Sequence, residues 1–195
     1  MVICYDSNMK TAWLLHGTGG SDKDYFWFSD TSQYLVTQGY QVWWPQLPHT
    51  EKPNLEETRN SIEEDDMHFV FDEETIIIGH SSACPVILDI LQWVKIQVKQ
   101  VILVSGFYQS LNDDGYSDLM LPTEEYHWGD IQKAAKEIIL INSDNDPWGC
   151  DDKQARSVAI KLDATLIVAT GQGHMGSGTH NQPYREFPLL KRLLV

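Results

Sequence analysis

At 195 residues, 42% of them hydrophobic, the chain is long enough to bury a substantial core and is expected to fold as a single domain over residues 1–195. A formal net charge of −14 argues against nucleic acid, which needs clustered Lys and Arg, and no apolar run reaches the length of a membrane span, so no membrane contact is expected. Cys4, Cys84 and Cys150 are odd in number and far apart, fitting neither a disulfide framework nor a zinc spacing; with an N-terminus unlike a signal peptide, they point to a reducing, cytoplasmic setting.

Residues 11–15, Thr-Ala-Trp-Leu-Leu, suit a buried strand and run into His16-Gly17-Thr18-Gly19-Gly20. Glycines after a strand let main-chain N–H groups face a ligand at short range. A dinucleotide fingerprint would need a third glycine and a downstream acid. The competing reading is a loop lending half an oxyanion hole through the Thr18 N–H, with His16 and Gly17 beside the substrate. Ser21 to Thr37 reads as a helix capped at Ser21-Asp22, with Tyr25, Phe28, Tyr34, Leu35 and Val36 on its apolar side and Gly39 ending it. Residues 40–44 form a second strand, stopped by Pro45 and Pro48. The segment 46–53 then lies at that strand's C-terminal end, the side on which open parallel sheets bind ligands. Asn54 is expected to cap a helix reaching Val70, with Leu55, Thr58, Ile62 and Phe69 on its buried side.

The β-branched run Thr75-Ile76-Ile77-Ile78 is a third strand, buried on both faces, and apolar residues from Pro85 to Leu91 suit a helix packed on a sheet. Between them lies Gly79-His80-Ser81-Ser82-Ala83, which is G-x-S-x-G except for its last residue. One reading is an ordinary turn with Ser81 or Ser82 capping the helix. The other is a nucleophile elbow, a turn sharp enough to need small neighbours and to lift the Ser81 hydroxyl to the mouth of the sheet. Residues 101–105 make a fourth strand. From Gly106 to Gly129 the pattern dissolves into turns and aromatics, a binding loop or a plain surface excursion, in which Phe107, Tyr108 and Trp128 are candidates to line a pocket. A short helix near Asp130, a strand over 137–141, a helix over 151–162, a strand over 164–169 and a closing helix in the last twelve residues complete the chain. Such alternation predicts the α/β class, about six mostly parallel strands with helices on both faces.

Four candidate groups thus fall at C-terminal strand ends: the His16-Gly17 loop, Ser81, the Asp144/Asp146 loop and His174. A serine hydroxyl becomes a nucleophile when a neutral imidazole takes its proton, and the imidazole needs an anion to fix its tautomer. Two main-chain donors, here Thr18 and Ser82, would hold the oxyanion. The order Ser81…Asp146…His174 is that of α/β-hydrolases. Asp146 is preferred to Asp144 because the chain turns at Pro147-Trp148 directly after it, bringing Trp148 towards the pocket; an Asx-turn is the bland alternative. His80 is expected to pack beneath the elbow. No His-Glu-x-x-His occurs and His174 and His180 are wrongly spaced for a helical pair, so neither a metal nor another cofactor is expected.

The stretch Thr75–Ser82, the Asp146-Pro147 loop and Gly173-His174 resemble the small serine hydrolases of the retinoblastoma-binding-protein-9/YdeN family, within the α/β-hydrolase superfamily. That resemblance implies a three-layer sandwich without a large cap, a triad of Ser81, Asp146 and His174, and small ester, thioester or amide substrates. Ala83 stands where the family usually has glycine, and His16-Gly17-Thr18-Gly19-Gly20 replaces a Pro-Gly-x-Gly loop. The Leu-x-Cys-x-Glu motif that binds retinoblastoma pocket proteins is absent, so that partner is not expected. A non-catalytic binding protein on the same scaffold is the alternative function.

Overall fold

The computed structural model describes residues 10–21, 24–49, 51–65, 71–111 and 114–194. Its strands are β1 (Lys10–Leu15), β2 (Tyr40–Trp43), β3 (Ile76–His80), β4 (Val98–Val104), β5 (Ala135–Asn142) and β6 (Thr165–Val168). They form one open sheet in the order β2-β1-β3-β4-β5-β6, every neighbouring pair parallel. Successive side chains on a strand point to opposite faces, so each strand feeds two cores. Trp13, Leu15, Ile77, Val101, Leu103 and Leu140 face one of them. Ala12, Leu14, Ile76, Ile78, Ile102 and Ile141 face the other. This is why the central strands read as unbroken apolar runs rather than alternating ones.

The helices are α1 (Phe28–Thr37), α2 (Leu55–Asp65), α3 (Ala83–Leu91), α4 (Trp128–Lys133), α5 (Asp152–Leu162) and α6 (Pro188–Leu193). Residues of α2, α3, α4 and α5 close the first core, and residues of α1 and α6 the second, giving three layers. Among the described residues, no helix is long and apolar enough to cross a membrane. The chain steps outward from β1 to β2, then returns past β1 to β3. Between β1 and β3 the direction of winding reverses, and a crevice opens above their C-terminal ends.

Several boundaries differ from the sequence reading. The first helix starts seven residues late, at Phe28, because Ser21 makes a local turn instead, its Oγ accepting the Asp24 N–H at 3.2 Å. Tyr25, Phe26 and Trp27 then lie ahead of the helix, with Phe26 in the left-handed region at φ 47°. Only Phe28, Thr31 and Leu35 of α1 are buried, while Val36 is exposed. Asn54 does cap α2, its Oδ1 accepting the Glu57 N–H, and Leu55, Thr58 and Ile62 are buried. The rest of that expectation, residues 66–70 including Phe69, lies outside the described residues, as do Cys4 and Asp22. The 106–129 excursion contains two 3₁₀ turns, Asp114–Leu119 and Thr123–Glu125. The closing helix is six residues, not twelve, because Pro188 can enter a helix only in its first turn.

Candidate active site

β3 delivers the chain into a sharp turn. Ser81 has φ 55°, a conformation costly for any residue with a Cβ, and neighbouring bonds hold it there. Its N–H donates to the Val104 carbonyl and its own carbonyl accepts the Cys84 N–H, both at 2.9 Å. Gly79 is needed one turn earlier: a Cβ there would sit 2.3 Å from Ile87 Cδ1 of α3. Ala83 opens α3 with its methyl group buried, where the family's glycine would stand. Ser82 makes no side-chain cap, so the ordinary-turn reading does not describe this junction. Its Oγ instead accepts the Thr18 hydroxyl at 3.0 Å, tying the loop after β1 to the elbow.

His174 Nε2 lies 2.9 Å from Ser81 Oγ, and His174 Nδ1 lies 2.7 Å from Asp146 Oδ2. The Asp146 side chain is 0% exposed and that of His174 is 7% exposed, so the bond between them is shielded from solvent, while the bond to Ser81 borders the cleft. Asp146 Oδ1 also accepts the Trp148 N–H at 2.9 Å, which fixes the carboxylate plane. The histidine loop is clamped residue by residue to the loop after β5. Asp144 Oδ1 accepts the Gly171 N–H, Ser143 Oγ that of Gln172, and Asn145 Oδ1 that of Gly173, at 2.8 to 3.0 Å. Gln182 Oε1 accepts the His174 N–H at 2.8 Å. Asp144, the competing acid, is therefore exposed and occupied with the main chain. Gly173, at φ 59°, has Gln182 where a Cβ would go.

A buried relay joins this loop to the one after β1. The Gly17 N–H donates to Tyr25 Oη at 3.1 Å, and Tyr25 Oη lies 2.8 Å from His80 Nδ1. His80 Nε2 donates to the His174 carbonyl at 2.9 Å, so Nδ1 is the bare nitrogen that accepts from tyrosine. Ser105 Oγ donates to the same carbonyl at 2.9 Å. His80 does pack under the elbow, but as this bonded link rather than as filler. Burial first, then the neighbouring His174 and His16, push its basicity well below the ordinary histidine range. The folded imidazole resists protonation while the unfolded one titrates near 6.5, so its share of stability is full above that pH and declines as pH falls below it. Melting curves of wild type and His80→Gln should therefore differ most near about pH 7.5 and converge towards about pH 5. Parallel curves across that window would remove this role from His80.

The Thr18 and Ser82 amides are bonded to nothing among the described residues. Gly17 packs directly under Ser81: a Cβ there would lie 2.8 Å from Ser81 Cβ and 2.9 Å from the His80 carbonyl oxygen. His16 is buried, accepting the Leu47 N–H at Nε2 and contacting the Gly17 carbonyl through Nδ1. His16 and Gly17 border a small hollow with Leu47, outside the larger cleft that holds Ser81 and His174.

That cleft encloses about 380 Å³. Phe107 and Trp148 line it as the sequence suggested, but Tyr108 and Trp128 do not. Tyr108 is buried with its Oη 2.7 Å from Ser157 Oγ, and Trp128 stacks on Tyr126 beneath Lys161. Burying those large aromatic faces against α5 wins over exposing them at the site. Phe26, Glu51, Leu111, Tyr116, Ser177 and Thr179 line the cleft without having been singled out. Only Tyr116 had a signal, as an aromatic in the 106–129 excursion. Cys150 also borders the cleft, and Cys84 lies beneath the elbow; burial pushes both thiols well up, leaving neither as a thiolate. Asp146, Cys150 and His174 have donor atoms within 4.8 Å of one another, the one such group among the described residues. A cation there would have to break the Asp146–His174 bond.

Comparison with known proteins agrees with this architecture. A family model described as serine hydrolase matches residues 12–194. YdeN of Bacillus subtilis (strain 168) is 26% identical over 171 residues, 85% of each chain. Serine hydrolase RBBP9 of Rattus norvegicus is 34% identical over 104 residues, 53% of this chain and 54% of that protein. The crystal structure of the ydeN gene product from B. subtilis superposes with a TM-score of 0.83 at 24% identity, covering 95% of this chain and 97% of that one. A Paleococcus ferrophilus monoacylglycerol lipase shares the fold at a TM-score of 0.67 and 11% identity, covering 94% and 93%.

Proposed function

The chain belongs to the serine hydrolase family and has the α/β-hydrolase fold, and on that footing we propose that it cleaves small ester, thioester or amide substrates through an acyl-enzyme on Ser81. The observation that carries this reading is the unbroken line from Ser81 Oγ to His174 Nε2 at 2.9 Å and from His174 Nδ1 to Asp146 Oδ2 at 2.7 Å. Nδ1 donates to the carboxylate, which leaves Nε2 as the acceptor facing the hydroxyl. Ser81 Oγ attacks the carbonyl carbon as its proton passes to Nε2, and Asp146 stabilises the resulting imidazolium. The tetrahedral oxyanion is held by the Thr18 and Ser82 N–H groups, each worth roughly 3–4 kcal/mol where such donors have been removed. His174 then protonates the leaving group, and the acyl-serine forms. Water, deprotonated by His174, attacks that ester and releases the acid and Ser81.

His16 and Gly17 support this centre from below rather than touching substrate: the first pins the loops after β1 and β2, the second gives Ser81 room. A fluorophosphonate probe should label the protein once, on Ser81. A folded protein that stays unlabelled would favour the binding-protein reading instead. Within the esterase class, turnover should favour short acyl chains, since a cleft of about 380 Å³ bounded by Phe107, Tyr116 and Trp148 has little length to offer. Comparing p-nitrophenyl acetate with the laurate ester by kcat/KM tests this, and faster turnover of laurate would overturn it.

A further inference from the structure

The walls of the cleft carry a charge pattern that the chemistry of Ser81 does not use. Among the described residues lining it, none is Lys or Arg, and Glu51 alone brings a formal charge from outside the Ser81–His174 machinery. Glu51 lies on the rim: its Oε1 is 4.0 Å from where a Cβ on Gly19 would be, next to the proposed oxyanion donor Thr18. Its carboxylate has no hydrogen bond or ion pair among the described residues, and Lys52 faces the adjoining groove rather than this cleft. Five aromatic side chains, Tyr25, Phe26, Phe107, Tyr116 and Trp148, share the wall with Leu111, Cys150 and small or hydroxyl-bearing residues. Phe107 and Tyr116 meet edge to face with centroids 5.9 Å apart, and Trp148 stands opposite the hydroxyl of Ser177, to which its indole N–H donates. Phe26 is held in the cleft by an uncommon backbone conformation, φ 47°, and its ring fills the space where a side chain at Gly176 would go. A left-handed residue with a bulky ring persists only where its surroundings over-determine it.

Aromatic faces present negative potential to a cation, and an unpaired carboxylate adds to it; both repel an anion. We infer that the non-reacting part of the substrate is an ammonium or quaternary ammonium group, held in this cleft by Glu51 and the aromatic walls, and that carboxylate- or phosphate-bearing esters are rejected. The inference rests on the hydrolase reading for its position next to Ser81, but cation binding itself does not need turnover.

Three acetate esters test it: 4-tert-butylbenzyl acetate, its 4-trimethylammonio isostere and the 4-carboxylate analogue. The expected order of kcat/KM is cationic, neutral, anionic, with the outer pair roughly tenfold apart. That ratio should shrink towards one in Glu51→Gln and invert in Glu51→Lys. A ratio that survives both substitutions yet vanishes in high salt would assign the preference to the whole protein's charge and overturn the role of Glu51. Equal rates for the three esters would overturn the inference outright. The binding arm uses benzyltrimethylammonium titrated by calorimetry into Ser81→Ala protein, with benzoate as the control. Binding of the cation alone, lost in Glu51→Lys, is expected even if no ester turns over and no fluorophosphonate adduct forms, an outcome that would sink the hydrolase reading and spare this one. No heat from the cation, with esters turning over, would do the reverse.

Discussion

Ser81→Ala is expected to lower kcat by about five to six orders of magnitude and to abolish fluorophosphonate labelling, with the fold intact. The size follows from the role proposed for the hydroxyl: without it no acyl-enzyme would form, and His174 and the amides at Thr18 and Ser82 would be left to assist a water. The fold should survive because Ser81 Oγ has a single partner among the described residues, His174 Nε2, while the turn is held by main-chain bonds to Val104 and Cys84 that alanine keeps. Alanine also tolerates φ 55° no worse than serine. Steady-state kinetics, intact-protein mass spectrometry of the probe adduct and a melting curve check the three parts together. An adduct that persists on another residue, or activity falling less than about a hundredfold, would move the nucleophile away from Ser81.

Asp146→Asn should cost about four orders of magnitude in kcat with little change in KM, by a different route. The carboxylate takes two donors now, His174 Nδ1–H and the Trp148 N–H. Asparagine can keep the second with its carbonyl oxygen, but it then turns an amide N–H towards Nδ1. The imidazole proton is driven to Nε2, where it faces Ser81 Oγ and can no longer accept the hydroxyl proton. Geometry is preserved while the base is lost, so the split between kcat and KM separates this from a loosened loop. Asp144→Asn is the matched control. Among the described residues Asp144 accepts only the exposed Gly171 N–H, which an asparagine oxygen can replace, and activity should change by less than about tenfold. A larger loss at Asp144 than at Asp146 would exchange their roles.

The β-branched and apolar runs at 11–15, 76–78, 101–104 and 138–141 suit strands buried on both faces, so the parallel α/β plan was legible residue by residue. The turn at Ser81 was legible only in part: Gly79 marks a close strand–helix approach, but an ordinary capped turn and a nucleophile elbow both fitted the same five residues. Between Asp144 and Asp146 the sequence offered a preference; the carboxylate that faces His174 is fixed by three loop-to-loop bonds from residues 143–145 to the amides of 171–173. Aromatic side chains were the least legible. Phe107, Tyr108, Tyr116 and Trp128 look alike in one excursion, yet two border the cleft and two pack into the core or on its edge. Phe26 was hidden inside an apparent helical pattern that the turn at Ser21 replaces. Glu51 gave no sign at all, since a charge in a polar loop reads as solvated.

What the chain determined by itself was the order of strands and helices and the residues left at their ends, because hydrophobic period and turn chemistry act over a few neighbours. What the tertiary structure alone decided was which side chains meet: the relay from Gly17 through Tyr25 and His80 to His174, and the charge and shape of the cleft wall. Those meetings depend on loops from six strand ends arriving at one crevice, and the angle of each arrival is set by packing between segments remote in sequence.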